Sequence, residues 1–441
     1  AARHPRSLES GRRFLRRKVA TRTKENMRAT EVFTPKGEPG VTYVDDHLIE
    51  KGKRLRQDLS AGPCVVSLSG PSKSGKTVFI EKTLGRDNLV KVNGAGVKSA
   101  AALWLKVFAV IGTPIKVVET KEKNNTSTFG AKIEGSVPLL AKGEVSTEGS
   151  WGSKEAAATE ISVDYVALLV EELGGTGYIV FVDDFHYIDP DLQQEIAEQI
   201  KEGIEGKVQF VCASVPYRSD DVLLANADLR GRAYKVDFDY WDHAELAKIA
   251  HVGFAAMNLN VSGAVIDALA SEAAGSPQLM QTLCLNLCFD IGREMRPDEQ
   301  VTIGADMDLI ARVCRRTTAN NDYSSTVAAM KDGPKVRGRE RNSYVLRSSN
   351  AALDVYPLIL RGVACDPPRL TLKANELTTR VQGLCIGEQP GSGSIVNSCG
   401  HIVSIANESE GRQVIEWDSE RDLLDIRDPY LLFFLRWGQW R

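Results

Sequence analysis

The chain has 441 residues, 43% hydrophobic and 26% charged, with a formal net charge of −3. That length holds two or three domains with a real core, and the near-neutral balance by itself points to no polyanionic partner. No apolar run reaches the roughly 18–20 residues that span a bilayer, so no membrane-spanning helix and no membrane partner are expected. The eight cysteines are scattered with no Cys-x-x-Cys pair, and Cys284 and Cys288 read as buried thiols of a reducing, cytoplasmic compartment.

Residues 1–28 carry ten Arg or Lys against two Glu, including Arg12-Arg13 and Arg16-Arg17-Lys18. Such an Arg-rich start fits a solvated or packing tail, a nucleic-acid arm or a targeting segment, and the sequence leaves these open. The chain starts at Ala1 without an initiator Met, which fits loss of residues upstream. After this basic arm (1–40), Val41–Val44 reads as a short strand and Asp46–Leu59 as a helix. Cys64–Ser69 is an apolar strand running into a Gly-rich turn, and helical periodicity resumes from Gly75 to about Leu84. Strand Leu89–Asn93 and helix Ser99–Ile111 follow. Residues 113–158, rich in Gly, Ser, Thr, Lys and Glu, then interrupt the pattern as an inserted hairpin or long loop. The alternation returns with helix 160–173, strand Tyr178–Asp183, helix 190–202 and strands Val208–Val215 and Ala233–Phe238.

This order predicts an α/β domain over 41–240 built on a parallel, doubly wound sheet. Residues 241–330 read as a helical domain, with segments broken near Asn260 and Gly275 and a further helix over Met307–Arg315. A charged linker (331–342) leads to 343–441. There, two or three helices precede two short strands (Val414–Trp417 and Leu423–Ile426) and a closing helix, the order of a winged helix.

Gly70-Pro71-Ser72-Lys73-Ser74-Gly75-Lys76-Thr77 fits the pattern G-x-x-x-x-G-K-[ST], placed after a strand and before a helix. Phosphate binding needs consecutive backbone N–H groups turned inward, and the next helix points its positive end at the anion. Lys76 would reach the β- and γ-phosphates, Thr77 would ligate Mg²⁺, and Val78 continues the binding segment. A second strand ending in an acid is then expected, and Ile179–Asp183 followed by Asp184 supplies it. Asp183 would hold Mg²⁺ through water; Asp184 would orient or deprotonate the attacking water, or else cap the next helix. Ser214 ends the following strand and could contact the lytic water. Arg218 could read the γ-phosphate or be a surface residue. Arg230 and Arg232 could serve a neighbouring subunit as a finger or form local salt bridges.

With these motifs in place, the chain resembles the STAND and origin-recognition-like branch of the AAA+ P-loop ATPases. Thr42-Tyr43-Val44 matches its adenine-side entry motif. Asp183-Asp184-Phe185-His186-Tyr187-Ile188 has its paired acids and aromatic follow-on. Gly275-Ser276-Pro277 fits its Gly-x-Pro motif, in which Pro277 would lie against the base. Val215-Pro216-Tyr217-Arg218 sits where a sensor arginine is carried, and the stretch from Asp428 to Trp437 is similar to the end of the winged helix in prokaryotic relatives. Two features depart from the pattern: Gln278 stands where a sensor-2 arginine would be, and no repeat sensor or effector domain is visible. A winged-helix histidine, here His401, contacts ADP phosphates in some relatives; packing within its helix is the competing reading. The resemblance implies an ATP/ADP- and Mg²⁺-dependent switch that forms a homo-oligomer in its ATP state. It also implies signalling with an effector or trigger protein, as in prokaryotic antiviral defence. The alternative it implies is a DNA-binding ATPase that uses the basic arm, of origin-recognition or transposition-regulator type.

Overall fold

The computed structural model describes residues 27–113, 164–214, 227–335 and 341–440. The arm up to residue 26, nearly all of the 113–158 insertion, and Arg218 lie outside them. By its contacts the chain divides into two compact units. The first holds, among described residues, 50–69, 79–113, 164–214 and 227–237; the second holds 27–49, 70–78, 238–335 and 341–440. Each has its own apolar core.

After α1 (Ala29–Val32) and α2 (Ile49–Ala61), the sheet of the first unit begins with β1 (Val65–Ser69), which is followed by α3 (Lys76–Leu84). It continues through β2 (Leu89–Asn93), α4 (Ala100–Ile111), α5 (Tyr165–Leu173), β3 (Ile179–Asp183), α6 (Pro190–Glu205), β4 (Gln209–Ser214) and β5 (Ala233–Asp237). The strands lie in the order β2-β3-β4-β1-β5, every pair parallel. All five residues of β1 are buried, which is why this strand reads as an unbroken apolar run. Helix starts follow from local chemistry. The Ser99 side chain accepts from Ala102 N, and Asp164 accepts from Val166 N and Ala167 N. Asp189 precedes Pro190 at the first position of α6. Trp104 and Phe210 meet edge to face in the core at 6.3 Å.

The second unit continues with α7 (His243–Ala256), β6 (Leu259–Val261), α8 (Gly263–Glu272), α9 (Pro277–Asp290), β7 (Val301–Ile303), α10 (Met307–Ala319) and α11 (Ser324–Asp332). The break expected near Asn260 is thus a strand, β6, paired in parallel with β7. Three residues are too few for a period-2 pattern to stand out from flanking helices. Helix α11 has no counterpart in the sequence reading. Val41–Val44 is turn and coil rather than a strand. Its anchor is a side chain: the buried Thr42 hydroxyl donates to Val32 O at 2.8 Å and accepts from Gln281 Nε2 at 2.8 Å.

The last part comprises β8 (Tyr344–Leu346), β9 (Ala352–Leu353), α12 (Val355–Val363), β10 (Thr371–Lys373), α13 (Ala374–Gly383) and β11 (Cys385–Ile386). It ends with α14 (Ser392–Glu410), β12 (Glu416–Asp418), β13 (Leu423–Asp425) and α15 (Pro429–Trp437). The antiparallel strand order β10-β13-β12, with α13 and α14 between β10 and β12, is the order in which a winged helix is built. No described helix is long and apolar enough to cross a membrane. Cys284 and Cys288 are buried and free, as read from the sequence, and burial pushes the Cys288 thiol up to about 12.

Asp425 ends β13 at 1% exposure. Its Oδ1 accepts from the Tyr240 hydroxyl at 3.0 Å, whereas Oδ2 has no hydrogen-bond partner among the described residues. Burial pushes this carboxyl up to about 6, against a smaller opposing effect of the Tyr240 bond. A carboxyl whose pKa is higher folded than unfolded contributes stability below its ordinary pKa and loses it as pH rises through the folded value. Asp425→Asn removes that loss while keeping an acceptor for Tyr240. Thermal unfolding of both forms from pH 4 to 7.5 should therefore show the variant gaining on the wild type as pH rises, by up to roughly 3 kcal/mol. A constant difference across that range would mean that Asp425 titrates as an ordinary carboxylate.

Candidate functional site

In the second unit, the segment Gly70–Thr77 has the geometry of a phosphate loop. Gly70 abuts Phe238 so closely that a Cβ there would lie 2.4 Å from the Phe238 Cβ. Lys73 and Gly75 take positive φ values of 63° and 94°, the alternation that turns successive N–H groups to one side. Lys76 opens α3, and its Nζ donates to Gly70 O at 2.6 Å and Pro71 O at 2.7 Å, so the side chain folds back across the loop. Ser74 is buried, and its Oγ has no hydrogen-bond partner among the described residues. Ser72, Thr77 and Val78 are partly exposed.

Trp241 supports the loop from behind: its Nε1 donates to Ser74 O at 3.0 Å, and its ring meets His47 edge to face at 4.4 Å. Neither residue was singled out by the sequence, because no motif marks a supporting indole. Val44 is buried and Tyr43 half-buried; burial, with Asp45 nearby, pushes the Tyr43 phenol up to about 12. Pro277 is buried at the first position of α9, which Ser276 caps by accepting from Leu279 N. Gly275 before it has φ 90° and packs on Tyr240. Gln278 donates to Pro35 O at 2.7 Å, a backbone anchor in place of an arginine.

In the first unit, the acids stand at one edge of the sheet. Asp183 ends β3 opposite Asn93, and Ser214 ends β4 opposite Ser69, the residue before Gly70. Asp184 is in the left-handed region at φ 57°, and its Oδ2 accepts from Asn93 Nδ2 at 3.0 Å. Asp184 is thus held by a side chain of the neighbouring strand and caps no helix with its own. Lys91 Nζ lies 3.6 Å from Asp183 Oδ2 and 3.1 Å from Glu81 Oε1. Along β2, exposed Lys91 and Asn93 alternate with buried Val90 and Val92, so a strand pattern could have marked their shared face but not its neighbour.

Arg232 donates to Glu205 Oε1 at 2.9 Å, both side chains about half exposed, a pair worth only about 0–1 kcal/mol. Arg230 lies in the same helical turn, 227–232. His401 is exposed, and its Nδ1 lies 2.9 Å from the hydroxyl of Tyr356 on α12, a different helix from its own.

These groups suit a nucleotide and Mg²⁺. Among the described residues a buried hydroxyl has no hydrogen-bond partner, an ammonium is parked on carbonyls it could exchange for phosphate oxygens, and a helix start follows. Within the second unit, Thr77 offers a hard oxygen ligand beside the loop, and within the first, Asp183 offers another at the end of β3. Among the described residues no cluster of three or more His, Cys, Asp or Glu could hold a metal alone, but Mg²⁺ commonly keeps waters and phosphates around one or two protein oxygens.

No protein-family profile and no curated protein matches the chain. Similar solved structures include Cdc6p from Pyrobaculum aerophilum, at 14% identity over 92% of this chain and 97% of that one, with a TM-score of 0.43. A Walker-type ATPase of Pyrococcus abyssi is similar at 15% identity, over 89% and 96%, with a TM-score of 0.49. The ORC2 protein of Aeropyrum pernix, in ADPNP–ADP complexes, is similar at 13% identity, over 92% and 96%, at 0.46. At these identities and scores the likeness assigns neither family nor activity.

Gly94 is the tightest constraint on Asp184. A Cβ there would lie 2.8 Å from Asp184 O, closer than such contacts allow, so one backbone must move. Gly94→Ala should therefore displace Asp184 and cost about 1–3 kcal/mol of stability by overpacking. Thermal unfolding of the purified variant checks this, and a stability equal to that of the wild type would show that the Asp184 backbone moves aside at no cost.

Proposed function

We propose that this chain binds ATP with Mg²⁺, hydrolyses it, and uses the change of nucleotide as a conformational switch. The observation that carries this reading is the state of the loop: Lys76 lies across Gly70 O and Pro71 O, and buried Ser74 Oγ has no hydrogen-bond partner among the described residues. Both are poised for an anion that the loop's backbone would cradle together with Gly70, Pro71, Ser72, Lys73 and Gly75. Bound ATP would supply the phosphoanhydride bond to be broken and the charge that Lys76 neutralises. Thr77 and Asp183 would hold Mg²⁺. Asp184, oriented by Asn93, would accept the proton of the attacking water, with Ser214 beside it. Tyr43, Val44 and Pro277 would flank the base.

The switch would act through the helical and C-terminal parts of the second unit, to which the loop belongs by its contacts. In the ATP state the chain would form a homo-oligomer, with Arg218, Arg230 or Arg232 stabilising γ-phosphate charge within or between subunits. For Arg232 this requires release from Glu205. A second reading, a DNA-binding ATPase, is favoured by the ten basic residues in 1–28 and the winged-helix order. Against it, α14, the helix before the wing strands, has no Arg or Lys.

Lys76→Ala should lose at least about tenfold in ATP affinity, the value of a charge-assisted contact. Asp184→Asn should keep its affinity and lose about 100-fold or more in turnover, the usual weight of a general base. Light scattering should show a defined oligomer only with a non-hydrolysable ATP analogue and intact Lys76. A monomer in every nucleotide state would rule out nucleotide-driven assembly. DNA binding that falls steeply with salt and vanishes when residues 1–28 are removed would establish the second reading.

A further inference from the structure

Asp428, at the N-terminus of α15, is a buried carboxylate on which three side-chain donors converge. Its Oδ1 accepts from Lys73 Nζ at 2.7 Å, and its Oδ2 accepts from the Tyr323 hydroxyl at 2.9 Å and from Arg412 Nη2 at 2.8 Å. Oδ1 also caps its own helix, accepting from Tyr430 N at 3.0 Å. The Lys73 ammonium lies over the Tyr430 ring at 4.5 Å, and the Tyr430 hydroxyl is 2.9 Å from the Thr282 hydroxyl on α9. A lysine of the phosphate loop is thereby committed to the last helix of the chain, 355 residues away. Burial pushes the Asp428 carboxyl up, but Lys73 and Arg412 together more than reverse this and hold it below its usual range.

We propose that Lys73 and Asp428 form a phosphate-exchanged latch: Lys73 is bonded either to Asp428 or to the phosphate chain of a bound nucleotide. The proposal rests on the nucleotide-binding reading above. Its physical basis is the unequal cost of release on the two sides. Asp428 can lose Lys73 and keep Arg412, Tyr323 and its helix-capping bond, so the carboxylate is never left unpaired. Lys73 can leave without penalty only for another anion, because a partly buried ammonium without a partner is costly. Its side chain is 27% exposed, so it can turn toward the open side of the loop without unpacking the core. Release would also free the Tyr430 ring face and loosen the start of α15. By linkage, the factor by which the latch weakens nucleotide binding is the factor by which bound nucleotide weakens the latch.

The test uses the full chain, with affinities for a non-hydrolysable ATP analogue measured calorimetrically in the presence of Mg²⁺. Asp428→Asn keeps the helix-capping oxygen and removes the charge. It should bind the analogue about tenfold more tightly than wild type. In a Lys73→Met background the same change should have no effect, because the competing ammonium is gone. Hydrogen exchange over residues 429–437 gives an independent readout. Nucleotide should accelerate it several-fold in the wild type, whereas Lys73→Met should exchange fast already and respond no further. Should Asp428→Asn fail to fold, the exchange comparison of wild type with Lys73→Met decides alone. A wild type that binds nucleotide, with binding lost in Lys76→Ala, but whose 429–437 exchange is unmoved overturns the latch and leaves the nucleotide reading standing. So does a folded Asp428→Asn that binds no more tightly than wild type. A wild type that binds no nucleotide overturns both.

Discussion

Parallel pairing of β3, β4 and β1 brings the last residues of three strands to a single edge of the sheet. Asp183, Ser214 and Ser69 end there because every strand runs the same way and the registers of β1 and β4 end together. In such sheets ligands bind outside the carboxyl ends of the strands. An antiparallel neighbour would have carried the acids to the opposite edge from the glycine-rich turn. The chemistry read from the motifs depends on that shared direction, and the fine geometry follows from it. Parallel register sets Asn93 beside Asp183, which places its amide on Asp184, and the lack of a side chain at Gly94 lets the Asp184 carbonyl come close.

The closing helix α15 shows how buried charge can serve both as a permanent and as an exchangeable tie. At its C-terminal end, Arg436 donates through Nε and Nη2 to the two oxygens of Glu272 at 2.9 and 2.6 Å, and Trp437 Nε1 adds a third bond at 2.7 Å. Both ionic partners are nearly buried, and Arg436 Nη2 also meets Asp366 Oδ1 at 2.7 Å, so removing Arg436 would leave the buried Glu272 charge uncompensated and the tie is strongly held. Between the ends, Leu431 to Leu435 are all buried. At the N-terminal end, Asp428 has one more cation than it needs. A helix fixed at one end and adjustable at the other suits a part that must stay docked while its start responds to a ligand.

The parts of this protein that the sequence alone determined are those whose causes are local. The loop Gly70–Thr77 is written in eight consecutive residues, because backbone N–H groups can surround a phosphate only along a short path that glycines permit. Strands β1, β3 and β4 were readable because strands buried on both faces must be apolar runs bounded by turn residues, and β2 because its buried and exposed residues alternate. The acid at the end of β3 follows from the same run. By contrast, β6 and β7 exist only because they pair across 42 residues, too far apart and too short for a pattern in the chain. Tertiary structure alone decided that Asn93 holds Asp184 and that Trp241 supports Ser74. It also decided that Lys73 is bonded to Asp428. Each of these joins residues far apart in the chain through a single hydrogen bond, and a hydrogen bond leaves no periodicity in a sequence: any Lys can meet any Asp, and only packing selects which pair does.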